Sequence, residues 1–449
     1  MKPLAVLIGC AMAAWAASND TFVIRNADVY PVTGAEMKGV SVLVQDGKIA
    51  DIGAKIVAPK GMRVVDAKGL RVYPGMIDSA TELGLAEIES VRESVDTGEL
   101  GEFMPQLRAL VAVNPGSEHF GVVRVNGITS AMTFPSSGAR GGGGGGGRFG
   151  GGEQQLISGQ AALIHTDGWT WEDMAIQRTA AMHLLFPSIA GRGGRGGAPV
   201  PDSVLELISG TAGASSYTQA RHTYEQQIGK LNDFFDQARQ YQKEKAAHAP
   251  GFRTDLKMEA MIPVLEGKVP MAVSASRASA IHDAIAFADK QNIKIVLLQP
   301  RELGKVAAEL KAKNIPVILG RVLALPQAED DAYDQAFTLP SEAYKAGVKF
   351  AFGTFDNEFV RNLPFEAATA VAFGLPYDEA LKAITINPAQ IWGVGNELGS
   401  VEKGKWADLV VTTGDPLEIQ TGIKHLYIKG KEVELTNKQA RLYEKYIAR

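Results

Sequence analysis

Two patterns of apolar and polar positions divide this chain. At either end, short apolar runs rich in Val and Ile are separated by turn residues. Phe22-Val23-Ile24, Val40–Gln45, Lys48–Ile52 and Arg63–Asp66 read as strands near the start. Trp406–Thr412, His425–Lys429 and Glu432–Leu435 read as strands near the finish. Asp46-Gly47 is a hairpin signal, and Lys429-Gly430-Lys431 marks a second turn. Each set is too small to bury a core of its own. They are expected to join in one composite β-domain, residues 20–71 plus 396–436.

Between them, strand-like runs alternate with helical spacing. Strand Met271–Ala275 is followed by a helix over Ala278–Lys290. Strand Lys294–Leu298 leads to a helix over Glu302–Lys313, then to strand Pro316–Leu319. Repeated β-α-β units mean a parallel sheet with right-handed crossovers. Val72–Ile77, Ile128–Phe134, Ala161–His165 and Val348–Gly353 add further strands, and Met182–Phe186 completes eight. The fold class is therefore α/β: a (β/α)8 TIM-like barrel over 72–395, with chemistry expected at the carboxyl ends of its strands. Tyr224, Ile228, Leu231, Phe235 and Ala238 follow helical spacing and predict a long amphipathic helix packed on the barrel. Residues 437–449 are expected to close the chain as a helix.

One stretch organises the rest. In Val72–Gly84, VYPGMIDSATELG, an apolar run is punctuated by Pro74-Gly75. It resumes at Met76-Ile77 and then gives way at once to Asp78, Ser79, Thr81 and Glu82. That is a buried strand opening into a polar mouth. Residues two apart on a strand share a face, which groups Asp78, Ala80 and Glu82.

Composition narrows the classes. The chain has 449 residues, 45% hydrophobic and 21% charged, as in a globular protein with more than one core. Its net charge of −4 implies no bulk attraction to nucleic acid or acidic lipid. Residues 1–17 read as a secretory signal peptide: Lys2, the apolar run Leu4–Ala14, and Ala14-Trp15-Ala16 as a cleavage pattern. The run is short for a membrane span. Leu7-Ile8-Gly9-Cys10 also matches a lipoprotein box, a lesser alternative. The expected location is periplasmic or extracellular. Cys10 is the only cysteine, so cleavage after Ala16 leaves no thiol for disulfides or catalysis. Gly-rich tracts at 138–152 and 191–197 are expected to be surface loops.

Several segments resemble the amidohydrolase superfamily, in its imidazolonepropionase-like branch. Pro74–Gly84 is similar to the PG-[LF]-ID-x-H-x-H-LG motif that starts that family's barrel. Gly399–Asp408, GSVEKGKWAD, is similar to its GS-[LIV]-E-x-GK-x-AD segment. The resemblance implies a barrel bracketed by a composite β-domain, and hydrolysis of carbon–nitrogen bonds other than peptide bonds. It also implies a binuclear metal site, and there the sequence departs. The motif's two histidines fall on Ala80 and Glu82. Ser274 stands where the strand V-H-A-[HN]-R carries its histidine, and Gln299 where V-[LI]-x-H-G carries its own. In Ala351-Phe352-Gly353-Thr354-Phe355-Asp356 the aspartate of A-x-G-[TS]-D is displaced by one residue. A one-residue shift on a strand turns a side chain to the other face.

The chain's seven histidines show no H-x-H, H-x3-H or H-E-x-x-H spacing. No metal cofactor is therefore expected, zinc or another divalent ion entering only if ligands have been relocated. Glu82 and Asp356 are the candidate carboxylates for acid–base catalysis. Arg277, Ser274, Gln299 and His165 are the candidate substrate-binding residues. Arg277 is expected to pair with Glu82 or Asp356 across the space that metals occupy in relatives. The expected partner is a small molecule in the barrel mouth, with no nucleic acid and no membrane span, and with homo-oligomerisation left open. Two functions compete: an amidohydrolase-type enzyme, and a non-catalytic exported ligand-binding protein using the same pocket.

Overall fold

A computed structural model of the chain describes residues 20–135, 155–189, 213–248, 250–326 and 331–448. The expected leader and both Gly-rich tracts lie outside the described residues.

Two eight-stranded sheets carry the fold. The first combines β1 (Phe22–Val29), β2 (Met37–Gln45), β3 (Lys48–Gly53), β4 (Arg63–Asp66) and β5 (Arg71–Pro74) with strands from the far end of the chain. These are β14 (Leu409–Thr412), β15 (Ile423–Ile428) and β16 (Lys431–Val433). The two contributions meet at β5, which pairs parallel with β1 on one side and antiparallel with β14 on the other. The turn between β2 and β3 places Asp46 at φ 48° and Gly47 at φ 74°. Positive φ at both central residues is what a tight hairpin turn matching strand twist requires. Lys429-Gly430 repeats that geometry between β15 and β16.

The second sheet runs in the order β6 (Met76–Thr81), β7 (Ile128–Thr133), β8 (Ile157–His165), β9 (Ala175–Leu185), β10 (Met271–Ser274), β11 (Ile295–Leu298), β12 (Val317–Leu319), β13 (Phe350–Phe352). It curls until its edges meet. Phe355 N–H donates to Ala80 O at 2.7 Å, and Glu82 N–H to Asp356 O at 3.2 Å. The result is a nearly closed eight-stranded barrel. Its interior is apolar, built from residues such as Ile77, Met132, Leu163, Val296 and Ile318, with Trp392 entering from the amino-terminal end.

Two details of the expected barrel are corrected. The apolar run Val72–Ile77 is not one strand. It breaks at Gly75, whose N–H donates to Asp408 O at 2.8 Å, so β5 belongs to the first sheet and β6 to the barrel. Nor is the barrel wholly parallel: β8 is antiparallel to both β7 and β9. Only Thr166–Met174 separates β8 from β9, too short a link for the dozen or more residues of a parallel crossover. Met182–Phe186 lies at the end of the long strand β9.

Helices Ala278–Gln291, Leu303–Ala312, Gln335–Ala346 and Leu363–Ala372 alternate with the later strands. The long helix Gly213–Ala246 buries Leu231, Phe234, Phe235 and Ala238 against them, and Phe235 meets Phe287 edge-on with ring centroids 5.3 Å apart. Each large apolar side chain buried this way contributes about 1.5–3 kcal/mol. Among the described residues no helix is long and apolar enough to cross a membrane.

Gly75 joins the two sheets under tight constraint. A Cβ there would lie 2.0 Å from Thr129 Oγ1 and 2.4 Å from Thr129 Cγ2. Gly75→Ala is expected to destabilise the protein by about 1–3 kcal/mol through overpacking, measured by chemical denaturation. Adding Thr129→Ala should recover part of that loss. An unchanged midpoint in Gly75→Ala would contradict the packing described.

Candidate functional site

The barrel mouth is formed where β6, β9, β10, β11 and β13 end. β6 and β13 are tied there by a buried carboxylate. Asp78 Oδ1 accepts from Thr354 N–H at 3.1 Å and from Ala80 N–H at 3.1 Å, and Thr354 Oγ1 donates to Asp78 Oδ2 at 2.5 Å. Asp78 is wholly buried, which pushes its pKa up to about 7; the Thr354 hydroxyl and amide oppose that shift. Asp78 is thus a clamp between strands.

Past β13 the chain takes an unusual turn. Phe355 adopts φ 52°, a left-handed conformation that costs a bulky residue energy. A Cβ on Gly353 would stand 2.8 Å from Ile318 Cγ2, 2.9 Å from the Ala80 methyl and 3.0 Å from the Phe355 ring. Only glycine fits under that ring. Asp356 turns back on its own chain: its Oδ1 accepts from Glu358 N–H at 2.7 Å and Phe359 N–H at 3.2 Å, in the bend that precedes the short helix Phe359–Asn362. Its backbone oxygen takes the Glu82 N–H and the Thr81 hydroxyl. Glu82 and Asp356 are therefore adjacent through their backbones. The Asp356 carboxylate is engaged by the amides that follow it, and Glu82 is buried beside it.

The most connected polar group in the mouth was not singled out from the sequence. His183, on β9, is buried. Its Nδ1 lies 2.9 Å from Pro135 O and 2.7 Å from Ser158 Oγ, and its Nε2 lies 3.0 Å from Ser274 Oγ on β10. A carbonyl can only accept, so Nδ1 carries the proton and Nε2 accepts from the Ser274 hydroxyl. Burial holds the His183 pKa down to about 4, with the Pro135 bond opposing, so the ring is neutral over most of the pH range. The edge of Phe134 packs on it, centroids 5.5 Å apart. His183 was hidden because none of its polar partners, Pro135, Ser158 and Ser274, is near it in sequence.

The remaining expected site residues separate. Gln299 ends β11 at φ 53°, with its side chain against Gly320. Arg277 is exposed at the start of helix Ala278–Gln291, where its charge helps hold the Glu302 carboxyl below its usual range, behind the larger effects of Lys305 and the Ala278 N–H. Among the described residues no ion pair joins it to Glu82 or Asp356. The expected charge replacement is corrected: residue 277 sits past the strand end, on the helix side. His165 is also corrected. Because β8 runs antiparallel, its carboxyl end lies at the opposite end of the barrel from the mouth. There His165 Nδ1 is 3.5 Å from Asp408 Oδ2, at the boundary with the first sheet. Burial drives His165 down to about 3 and Asp408 up to about 7, so this is a contact between largely neutral groups rather than a strong ion pair. A separate cleft of about 580 Å³, lined by Gln177, Lys294, Pro316 and Trp392, also opens at that far end.

A binuclear metal centre of the type implied by the resemblance needs donors converging at one point. Here a methyl group, a hydroxyl already bonded to His183, and an amide stand at three of the four histidine positions. Phe355 packs on the apolar cluster that contains Ala80, and the nearby aspartate is bonded to the amides that follow it. Among the described residues no group of three His, Cys, Asp or Glu side chains is placed to hold a metal ion. The donor set does not fit such a centre.

Barrel, composite β-domain and mouth define the class: a scaffold of the amidohydrolase type. The amidohydrolase family model matches residues 221–433, so this part of the chain is similar to that family. It is similar to the amidohydrolase tasK of Hapsidospora irregularis, at 24% identity over 91% of this chain and 42% of that protein. A shorter match, 49% identical over 59 residues, links 13% of this chain to 10% of an N-substituted formamide deformylase of Arthrobacter pascens. The chain thus spans less than half the length of either of these curated relatives. The solved structure of an amidohydrolase from Thermotoga maritima MSB8 superposes with a TM-score of 0.75 at 28% identity, covering 92% of this chain and 99% of that one.

Two outcomes follow from the mouth. Asp356→Ala leaves the Glu358 and Phe359 amides without their acceptor, and should cost about 0.5–1.5 kcal/mol of stability; an unchanged melting curve would contradict that role. Asp78 makes a pH-dependent contribution. Between pH 4 and 7 it is protonated when folded and ionised when unfolded, so the stability it lends falls as pH rises through that window. In Asp78→Asn that loss disappears. Stability of the variant relative to the parent should rise by up to about 1.4 kcal/mol per pH unit across the window, then level off. A pH-independent difference between the two proteins would show that Asp78 is ionised in the fold.

Proposed function

We propose that this chain is a hydrolase of a carbon–nitrogen bond other than a peptide bond, acting on a small amide in the barrel mouth without a binuclear metal centre. The similarity to the amidohydrolase family model over residues 221–433 supports the reaction class. The observation that carries the metal-free reading is the rebuilt mouth: Ser274, at a former histidine position, is hydrogen-bonded to a buried neutral His183 that Pro135 and Ser158 hold from behind. A carbonyl compound is the natural occupant of such a mouth, because a hydroxyl donor and the apolar faces of Phe134 and Phe355 suit a planar, neutral group. The short match to a formamide deformylase suggests N-substituted formamides as the first compounds to try. The leader-like start of the sequence supports an exported location.

A second reading has its own observation. Phe355 packs on the apolar cluster that contains Ala80, and the Asp356 carboxylate is committed to the amides that follow it, as in a barrel kept for binding alone. Turnover of a panel of linear and cyclic amides, by protein dialysed against a chelator, separates the two. Hydrolysis is expected, and neither chelator nor added zinc should change its rate. Activity abolished by chelation and restored by zinc would overturn the metal-free mechanism. Binding of panel members, seen as a raised melting temperature with no turnover, would favour the binding protein.

A further inference from the structure

We propose that Ser274 and His183 form a nucleophile–base dyad, with Ser274 attacking the carbonyl carbon of the bound amide. The inference deepens the metal-free reading above and rests on it. Its ground is the geometry of one hydrogen-bonded chain. Ser274 Oγ lies 3.0 Å from His183 Nε2, and the Pro135 carbonyl, 2.9 Å from Nδ1, fixes the tautomer that leaves the Nε2 lone pair facing the hydroxyl. Ser158 Oγ, 2.7 Å from Nδ1 and 3.2 Å from Pro135 O, locks the same arrangement. A hydroxyl held by a base whose far nitrogen is oriented by a third group is the working arrangement of an activated serine.

Position supports the assignment. Ser274 ends its strand in the mouth and is only half-buried, while its base is shielded behind it. β9 and β10 are parallel and in register, Ser274 opposite Leu185, so both partners rest on rigid strands rather than loops. Burial keeps His183 neutral and able to accept a proton at ordinary pH.

The step balances without a further reactant. Ser274 Oγ adds to the carbonyl carbon as its proton passes to His183 Nε2. The carbon–nitrogen bond breaks as that proton moves to the departing amine. Water then adds to the acyl ester, giving its proton to Nε2, and Ser274 leaves with the proton returned. No carboxylate supports the imidazolium, so acylation is expected to be slow beside that of a serine–histidine–aspartate triad.

A fluorophosphonate probe reads the dyad directly, because it phosphorylates activated serines whatever the natural substrate. Full-length protein should take up one equivalent, mapped by mass spectrometry to Ser274, and Ser274→Ala should take up none. His183→Gln should slow labelling on the order of 100-fold or more. Should that variant fail to fold, Ser274→Thr and the pH profile of the parent serve instead. The threonine variant should still label, more slowly, and the parent's rate should stay level from pH 8 to about 5. No adduct on Ser274, or labelling indifferent to His183, overturns the dyad. Metal-independent amide turnover surviving in Ser274→Ala would overturn the dyad and leave the proposed reaction standing. An adduct on Ser274 in a protein that hydrolyses no amide would support the dyad and count against the reaction.

Discussion

The barrel depends on the seam between its first and last strands. A curled sheet of eight strands has two edges, and each edge carries unpaired backbone groups until they meet. Asp78 makes the junction by accepting both the amide and the hydroxyl of Thr354. The Phe355 and Glu82 amides then continue the pairing past the strand ends. A buried carboxylate is costly unless it is hydrogen-bonded or protonated, and Asp78 is both in part. The seam also decides the mouth. By closing on Phe355 rather than on the aspartate that follows it, the chain packs a phenyl ring on the interior and leaves the carboxylate bonded to its own backbone.

Four buried titratable groups share one electrostatic solution. Asp78 and Asp408 are raised to about 7, and His165 and His183 are lowered to about 3 and 4. All four are thereby driven toward their neutral forms inside the protein. In mildly acidic solution the protons kept by the two acids match those refused by the two bases. Their effects on stability therefore oppose one another, and these four positions are driven from charge by burial itself.

Much of this was legible in the chain, and what was not has identifiable causes. Strand and turn chemistry are local, so Asp46-Gly47, the run Met271–Leu319 and the amphipathic face of Leu231 and Phe235 reveal themselves. The pairing of the two ends through β5 was legible because both ends carry strands lacking a partner. Strand direction is not local. Ala161–His165 looks the same whether it runs with its neighbours or against them, and only the short link to β9 betrays the reversal. His165 was misplaced for that reason. The mouth was half legible: substitutions at 80, 274 and 299 show against the family motif, whereas His183 gains its meaning only from residues distant in sequence.

The sharing of one sheet between both ends has a consequence for biosynthesis. β5 needs β14 along one edge, yet more than three hundred residues separate them. During synthesis the first five strands emerge long before the strand that completes their sheet, and β5 presents bare amides and carbonyls throughout. Closing so long a loop is slow, because its entropic cost is met before any contact rewards it. The barrel is made in the interval, and its own first strand is tethered to that waiting edge through Gly75. The late arrival of β14 thus caps the edge and brings in Asp408, whose carbonyl receives the Gly75 amide, so a segment made long afterwards secures the hinge of the earlier strands.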